Sequence, residues 1–108
     1  MHIDPRMVNS PKSSVSDLNV IIDEGEGYYA IALLKWNNEY SVGMRWNGGE
    51  GGEGGQFKGI GNPQSRGVAT WFILPNDIAK LLLTAILNDK KRISDLQASD
   101  IKRHIENL

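Results

Sequence analysis

Trp36, Trp46 and Trp71 are the residues whose types and neighbours could do chemistry here, because two of them stand beside a cation, in Lys35-Trp36 and Arg45-Trp46. An indole and a guanidinium or ammonium on an accessible sheet face form a platform on which planar groups such as nucleic-acid bases stack, while the cation meets phosphate. The alternative is packing, since aromatic residues are common strand fillers. A second cluster precedes Trp71: Lys58 and Arg66, with Asn62, Gln64 and Ser65, lie in a glycine-rich stretch. Backbone amides and cations in such a loop hold phosphates, although Asn62-Pro63 reads equally as turn chemistry.

No catalytic set accompanies these residues. The two histidines are His2, near the N-terminus, and His104, which follows Lys102 and Arg103 and is expected to face solvent. Neither has partners at metal-ligand spacing, Ser41 and Ser65 have no histidine nearby in sequence, and there is no cysteine to act as thiolate. Gly49-Glu50-Gly51-Gly52-Glu53-Gly54 satisfies a dinucleotide-binding string, but more glycine follows where a helix should start, and two glutamates would repel phosphate. The sequence therefore predicts a binding protein, not an enzyme, and one without a metal or other cofactor.

The elements that must position the tryptophans follow from the hydrophobic pattern. Residues 1–16 are polar, contain Pro5, Pro11 and Ser13-Ser14, and read as a flexible tail, with either Met1 or Met7 as a possible start. Residues 17–108 form one domain. Leu18 to Asp23 reads as a strand that ends in the acidic turn Asp23-Glu24-Gly25-Glu26-Gly27. Tyr28 to Trp36 and Glu39 to Trp46 are two strand-like runs joined by Asn37-Asn38, residues that tolerate positive φ and suit a two-residue hairpin.

That turn sets the register. Lys35, Leu33, Ile31 and Tyr29 oppose Tyr40, Val42, Met44 and Trp46 on a face apolar enough to be core. The other face carries Trp36, Leu34, Ala32 and Ala30 opposite Glu39, Ser41, Gly43 and Arg45. Floored by small residues, it either admits a flat ligand close to the backbone or lies under a helix. Trp36, Arg45 and, less directly, Trp71 form the cross-strand set that would bind.

Glycine dominates residues 47–67, which read as a long flexible loop. Ala69 to Leu74 resumes as a strand containing Trp71. Pro75-Asn76-Asp77 then caps a helix with Ile78, Leu81, Leu82, Ala85 and Ile86 on one side, widened by Leu83 and Leu87. A last helix, capped by Ser94 or Ser99, carries Leu96, Ile101, Ile105 and Leu108. The result is an α+β fold, an antiparallel sheet of about four strands followed by one or two C-terminal helices.

Composition narrows the class further. In 108 residues, 40% hydrophobic and 23% charged residues are those of an ordinary globular chain with one modest core. So small a core makes a homodimer reasonable, packed through Ile78, Leu81, Leu82, Ala85 and Ile86. No apolar run is long enough to span a bilayer, no signal peptide is recognisable and cysteine is absent, so a cytoplasmic protein without a membrane partner is expected. The net charge of -1 is unevenly spread, with two cations against five anions in residues 1–34 and ten against eight afterwards. Any field that attracts a polyanion must be local.

Leu33-Leu34-Lys35-Trp36-Asn37, Tyr40-Ser41-Val42-Gly43-Met44-Arg45-Trp46, and Arg66-Gly67-Val68 leading to Leu74 and the capped helix together resemble the positive cofactor four (transcriptional coactivator p15-like) family of single-stranded-DNA-binding cofactors, over about half the chain. The resemblance implies a sheet followed by a dimerising helix, with single strands laid across the sheet. It would assign Lys35, Trp36, Arg45 and Trp46 to the strand-bearing region and Arg66 to a basic position before the last strand. The long acidic glycine loop, the low basic content, the extended last strand and the second helix depart from the family pattern. The expected function is single-stranded nucleic-acid binding, with Trp36 and Trp71 stacking bases and Arg45, Lys58 and Arg66 meeting phosphates. The alternative is protein-protein interaction or self-assembly through the open sheet face or the helix stripe.

Overall fold

The Asn37-Asn38 turn organises the sheet. Both residues take positive φ, 52° and 68°, the primed geometry whose twist matches that of the flanking strands. The structure, a computed structural model, describes residues 3–49 and 59–108. The turn joins β2 (Tyr29–Trp36) to β3 (Glu39–Trp46), and the pairing runs from Trp36↔Glu39 to Tyr29↔Trp46 in the register the sequence predicts. β1 (Val15–Asp23) pairs antiparallel with β2, with register breaks between Ser16 and Asn19 and between Val20 and Ile22. Such irregularities bend an outer strand away from flat edge-to-edge pairing.

Beyond β3 the expected strand from Ala69 to Leu74 is divided. β4 (Gln64–Ser65) and β5 (Val68–Ala69) form a separate small hairpin around Arg66 and Gly67, whose φ values are 53° and 77°. β6 (Phe72–Ile73) joins the main sheet beside Gly43 and Met44, giving the order β1-β2-β3-β6. Trp71 lies between β5 and β6 and belongs to neither. Part of the expected glycine loop is also ordered: Trp46 bridges Asn62 and Gly49 bridges Gly59. Glycine is required there, since a Cβ on Gly61 would stand 1.9 Å from the Trp46 carbonyl oxygen. Residues 50–54 of the dinucleotide-like string, with Glu50 and Glu53, lie outside the described residues, as does His2.

α1 (Asn76–Leu87) and α2 (Asp95–Glu106) follow the sheet, completing the α+β fold. They pack on the face of Ile31, Leu33 and Val42, with Leu74, Ala79, Leu83, Ile86 and Ile101 in the same core. The buried stripe of α1 is therefore Ala79, Leu83 and Ile86, with Leu82 and Leu87 partly covered, while Ile78, Leu81 and Ala85 are exposed. α2 begins at a capping box, with Ser94 Oγ accepting from the Gln97 amide and Gln97 Oε1 from the Ser94 amide. Leu96 is exposed, and His104 takes a core position that the sequence reading left to solvent. No described helix is long and apolar enough to cross a membrane.

The N-terminal stretch, expected as a flexible tail, packs against the sheet. Asp4 Oδ1 accepts from the Arg6 amide and starts a single 3-10 turn, Pro5–Met7, and Arg6 reaches Asp23 at 3.1 Å. Pro5 and Val8 are buried. Val8 joins Val15, Ala30, Ala32, Leu34, Ala69 and Trp71 in a second core on the opposite side of the sheet from the helices. Both sheet faces are thus covered. The small-residue face lies under the chain's own N-terminal segment and Trp71, and neither α1 nor α2 packs there.

Candidate functional site: an aromatic pocket at one end of the sheet

The cross-strand set Trp36, Arg45 and Trp71 does not form an open platform. Trp71 is 4% exposed, and its indole Nε1 donates to the Val8 carbonyl at 2.7 Å. Arg45 is 2% exposed. Its Nη2 donates to the Ile60 carbonyl, and its Nη1 to the carbonyls of Thr70 and, at 3.4 Å, Pro63. The guanidinium is thus a clamp that fixes the chain between Ile60 and Thr70 against β3. A planar five-donor head suits several carbonyls at once, which a lysine could not reproduce. Burial pushes its pKa down to about 10, which leaves it charged at neutral pH.

The remaining expected site residues are dispersed. Trp36 is half-buried against the second core. Lys35 lies across the sheet from it, 4.9 Å from the Tyr40 ring centroid and 3.5 Å from Asp17. Arg66 is exposed at the tip of the β4-β5 hairpin. Lys58 lies outside the described residues. Lys35 and Trp36 are sequence neighbours on opposite faces, and so are Arg45 and Trp46.

Trp46, expected in the core, is instead 39% exposed. The apolar sheet face runs past the helices at its Tyr29/Trp46 end. There a pocket of about 500 Å³ opens, lined by Tyr29, Met44, Arg45, Trp46, Asn62, Pro63 and Phe72. Two of its rings stand nearly perpendicular, Tyr29 and Trp46, with centroids 6.4 Å apart and planes at 85°. Phe72, 56% exposed, arrives from β6 beside Met44. The Arg45 clamp and the Trp46 to Asn62 bridge bring Asn62 and Pro63 to the same place. Tyr29 Oη accepts from Arg92 Nη2 at 3.0 Å, and Arg92 also pairs with Glu24.

Such a site is suited to binding. Its volume falls in the range of small-ligand clefts, and its walls are mainly aromatic and aliphatic with few polar groups, the usual make-up of such clefts. Apart from Arg45 its lining residues carry no charge. Tyr29, Met44 and Phe72 are members that sequence reasoning did not assign to a site: the first two were placed in the core, while alternation in Trp71-Phe72 required one ring to face away from the other.

A second, smaller cleft of about 200 Å³ holds the titratable groups: Asp17, Lys35, Tyr40, Asp100, Arg103 and His104 are among its lining residues. These groups are engaged with one another. Asp17 pairs with Lys35, Asp100 with Arg103 at 3.7 Å, and Asn19 donates to Asp100 at 3.1 Å. His104 Nε2 lies 2.6 Å from the Ser41 carbonyl oxygen and packs edge-on against Tyr40. Ser41 lies on β3, so this contact ties α2 to the sheet. No cluster of three or more potential metal ligands occurs among the described residues.

The chain matches no known protein-family model, no curated protein and no solved structure.

Proposed function

We propose that this chain is a non-enzymatic binding module whose site is the pocket between Tyr29, Trp46 and Phe72, and that it takes an apolar, ring-bearing group. One observation carries the proposal: three aromatic side chains surround an apolar hollow, and two of them, Trp46 and Phe72, stay substantially exposed there, whereas Trp36 and Trp71 pack against the second core. Exposed rings around a concavity gather affinity at low conformational cost and mark interaction sites more often than chance exposure does. Amide-resolved NMR with a set of small neutral aromatic compounds tests it. Saturable shifts centred on Tyr29, Met44, Trp46 and Phe72, weakened by Phe72→Ala, are expected. No response across the set, or responses elsewhere, would remove the proposal.

Single-stranded nucleic acid is the second candidate, now through Trp46 rather than Trp36. It is favoured by the exposed Arg66 at a hairpin tip three residues after the pocket residue Pro63. The resemblance to the positive cofactor four family points the same way. A stacked base contributes about 1 to 3 kcal/mol, and phosphate contacts make affinity fall steeply with salt. Oligonucleotide binding that is lost in Trp46→Ala and weakened in Arg66→Ala would favour this candidate; unchanged tryptophan emission at low salt would end it.

Self-association belongs to the same proposal. The outer side of α1 leaves Ile78, Leu81 and Ala85 exposed, and a second copy would pack there, while Leu82 and Ile86 serve the protein's own core.

A further inference from the structure

We infer, on the reading that the aromatic pocket is the binding site, that its occupant is a small neutral aromatic amide, a ring that presents a carbonyl oxygen and an adjacent N–H to the side chain of Asn62.

Antiparallel pairing brings Asn62 to the pocket. The Trp46 amide donates to the Asn62 carbonyl at 2.8 Å, and the Asn62 amide donates to the Trp46 carbonyl at 3.2 Å. Residues paired in this way project on the same face of a sheet. Tyr29 pairs with Trp46 from its other side, so Tyr29, Trp46 and Asn62 form one row, with Met44 and Phe72 in the next. All five line the pocket. The alternation that puts Trp46 on this face turns Arg45 to the other, where its guanidinium is held on the carbonyls of Ile60, Pro63 and Thr70. The Tyr29 hydroxyl is engaged by Arg92. Asn62 therefore supplies the uncommitted polar side chain on the face of the three rings.

Turn chemistry does not account for this amide. Asparagine ordinarily serves a turn by taking positive φ or by bonding nearby backbone with its side chain. Asn62 does not take positive φ, and among the described residues its side chain has no hydrogen-bond partner. The side-chain contact of that turn comes from Gln64, whose Nε2 donates to the Gly61 carbonyl at 2.7 Å. What Asn62 offers the pocket is one acceptor and two N–H donors beside apolar walls. A ligand amide matches them in two hydrogen bonds, Asn62 Nδ2 donating to the ligand carbonyl and the ligand N–H donating to Asn62 Oδ1. A purely apolar occupant would strip water from the Asn62 amide without replacing its bonds, and that asymmetry sets the preference. An ionised group would lose its hydration among side chains that offer it no opposite charge, so the ligand is neutral. A volume near 500 Å³ accommodates one substituted ring.

Benzamide and acetophenone share ring, size and carbonyl and differ by an amino group in place of a methyl. Titrated separately into the full chain and followed by amide NMR, benzamide is expected to bind about threefold to tenfold more tightly, with shifts centred on Tyr29, Trp46, Asn62 and Phe72. Asn62→Leu keeps the backbone bridge to Trp46 and removes no side-chain bond of the fold, so it should bind both compounds and abolish the preference; Asn62→Ala allows the same comparison in a smaller side chain. Equal or tighter binding of acetophenone by the parent chain would overturn the amide and leave the aromatic pocket standing. Failure of both compounds to bind would remove the two together. A preference for benzamide that survives both substitutions would overturn the role of Asn62. Oligothymidylate, whose bases carry the same carbonyl and N–H edge, separates a free small molecule from a nucleic acid. Asn62-dependent binding of it at least about tenfold tighter than that of benzamide would overturn the small-molecule occupant.

Discussion

Trp71 packs directly on Gly43: a Cβ built on that glycine would stand 3.0 Å from the Trp71 Cβ and 3.3 Å from its Cε3. The flat group that the small-residue face admits close to its backbone is the chain's own indole. Its Nε1 donates to the Val8 carbonyl, so one side chain ties β3, the segment before β6 and the N-terminal stretch together. A surface that reads as a ligand platform in the sequence is thereby an interior. The exposed chemistry moves to the far side of β3, where Trp46 and Phe72 stand.

Gly43→Ala is accordingly expected to destabilise the fold although it adds a single methyl group. The new Cβ meets the Trp71 Cβ, which is part of a fixed backbone position, as well as Leu34 Cδ2 at 3.2 Å. Overpacking of this kind costs about 1 to 3 kcal/mol. Urea denaturation of the variant should show a lowered midpoint with an unchanged slope.

Trp71→Phe keeps most of the apolar volume and removes one donor. The Val8 carbonyl, buried beside it, is left without the indole N–H, and stranding a buried polar group costs about 1 to 3 kcal/mol. Chemical denaturation measures the loss. An unchanged midpoint would mean that the Val8 segment is not held by this bond.

The hairpin was legible because its signals are local. Asn37-Asn38 fixes the turn, alternation fixes the faces, and every cross-strand pair from Trp36↔Glu39 to Tyr29↔Trp46 follows. Both helices and the Ser94 cap were legible for the same reason. What covers the Ala30, Ala32 and Gly43 face was not, because Val8 and Trp71 come from segments more than sixty residues apart, and one of them is polar enough to read as a tail. The site was half legible: Trp46 was singled out but assigned to the core, since periodicity shows which face a residue occupies and not where the covering helices stop. His104 carried a signal that went unused, as it lies three residues after Ile101 on the buried side of α2.

His104 makes stability depend on pH. Burial holds its pKa below the ordinary imidazole value, outweighing the bond to the Ser41 carbonyl, with Lys35 lowering it further. As pH falls below about 6.5 the unfolded chain takes up this proton before the folded one does. The contribution of the neutral imidazole is therefore complete above the unfolded pKa and is lost as pH drops from there toward the depressed native value. Urea midpoints at about pH 7.5 and 5.5 should differ, and His104→Gln, which retains an N–H for Ser41, should reduce the difference. A variant as pH-dependent as the parent chain would assign the effect to another group.

The two sides of α1 offer a last, paired prediction, because neighbouring leucines face opposite environments. Leu83 is fully buried in the helix-side core, and Leu83→Ala should cost about 2 to 5 kcal/mol through lost contacts and the cavity left behind. Leu81 is 70% exposed, so Leu81→Ala should leave the unfolding midpoint within about 0.5 kcal/mol of the parent. If a second copy packs on Ile78, Leu81 and Ala85, then Leu81→Glu places an unpaired charge at the centre of that contact, and sedimentation should show weaker association with no change in the unfolding of the monomer. A sedimentation profile identical to the parent's would release this face from self-association.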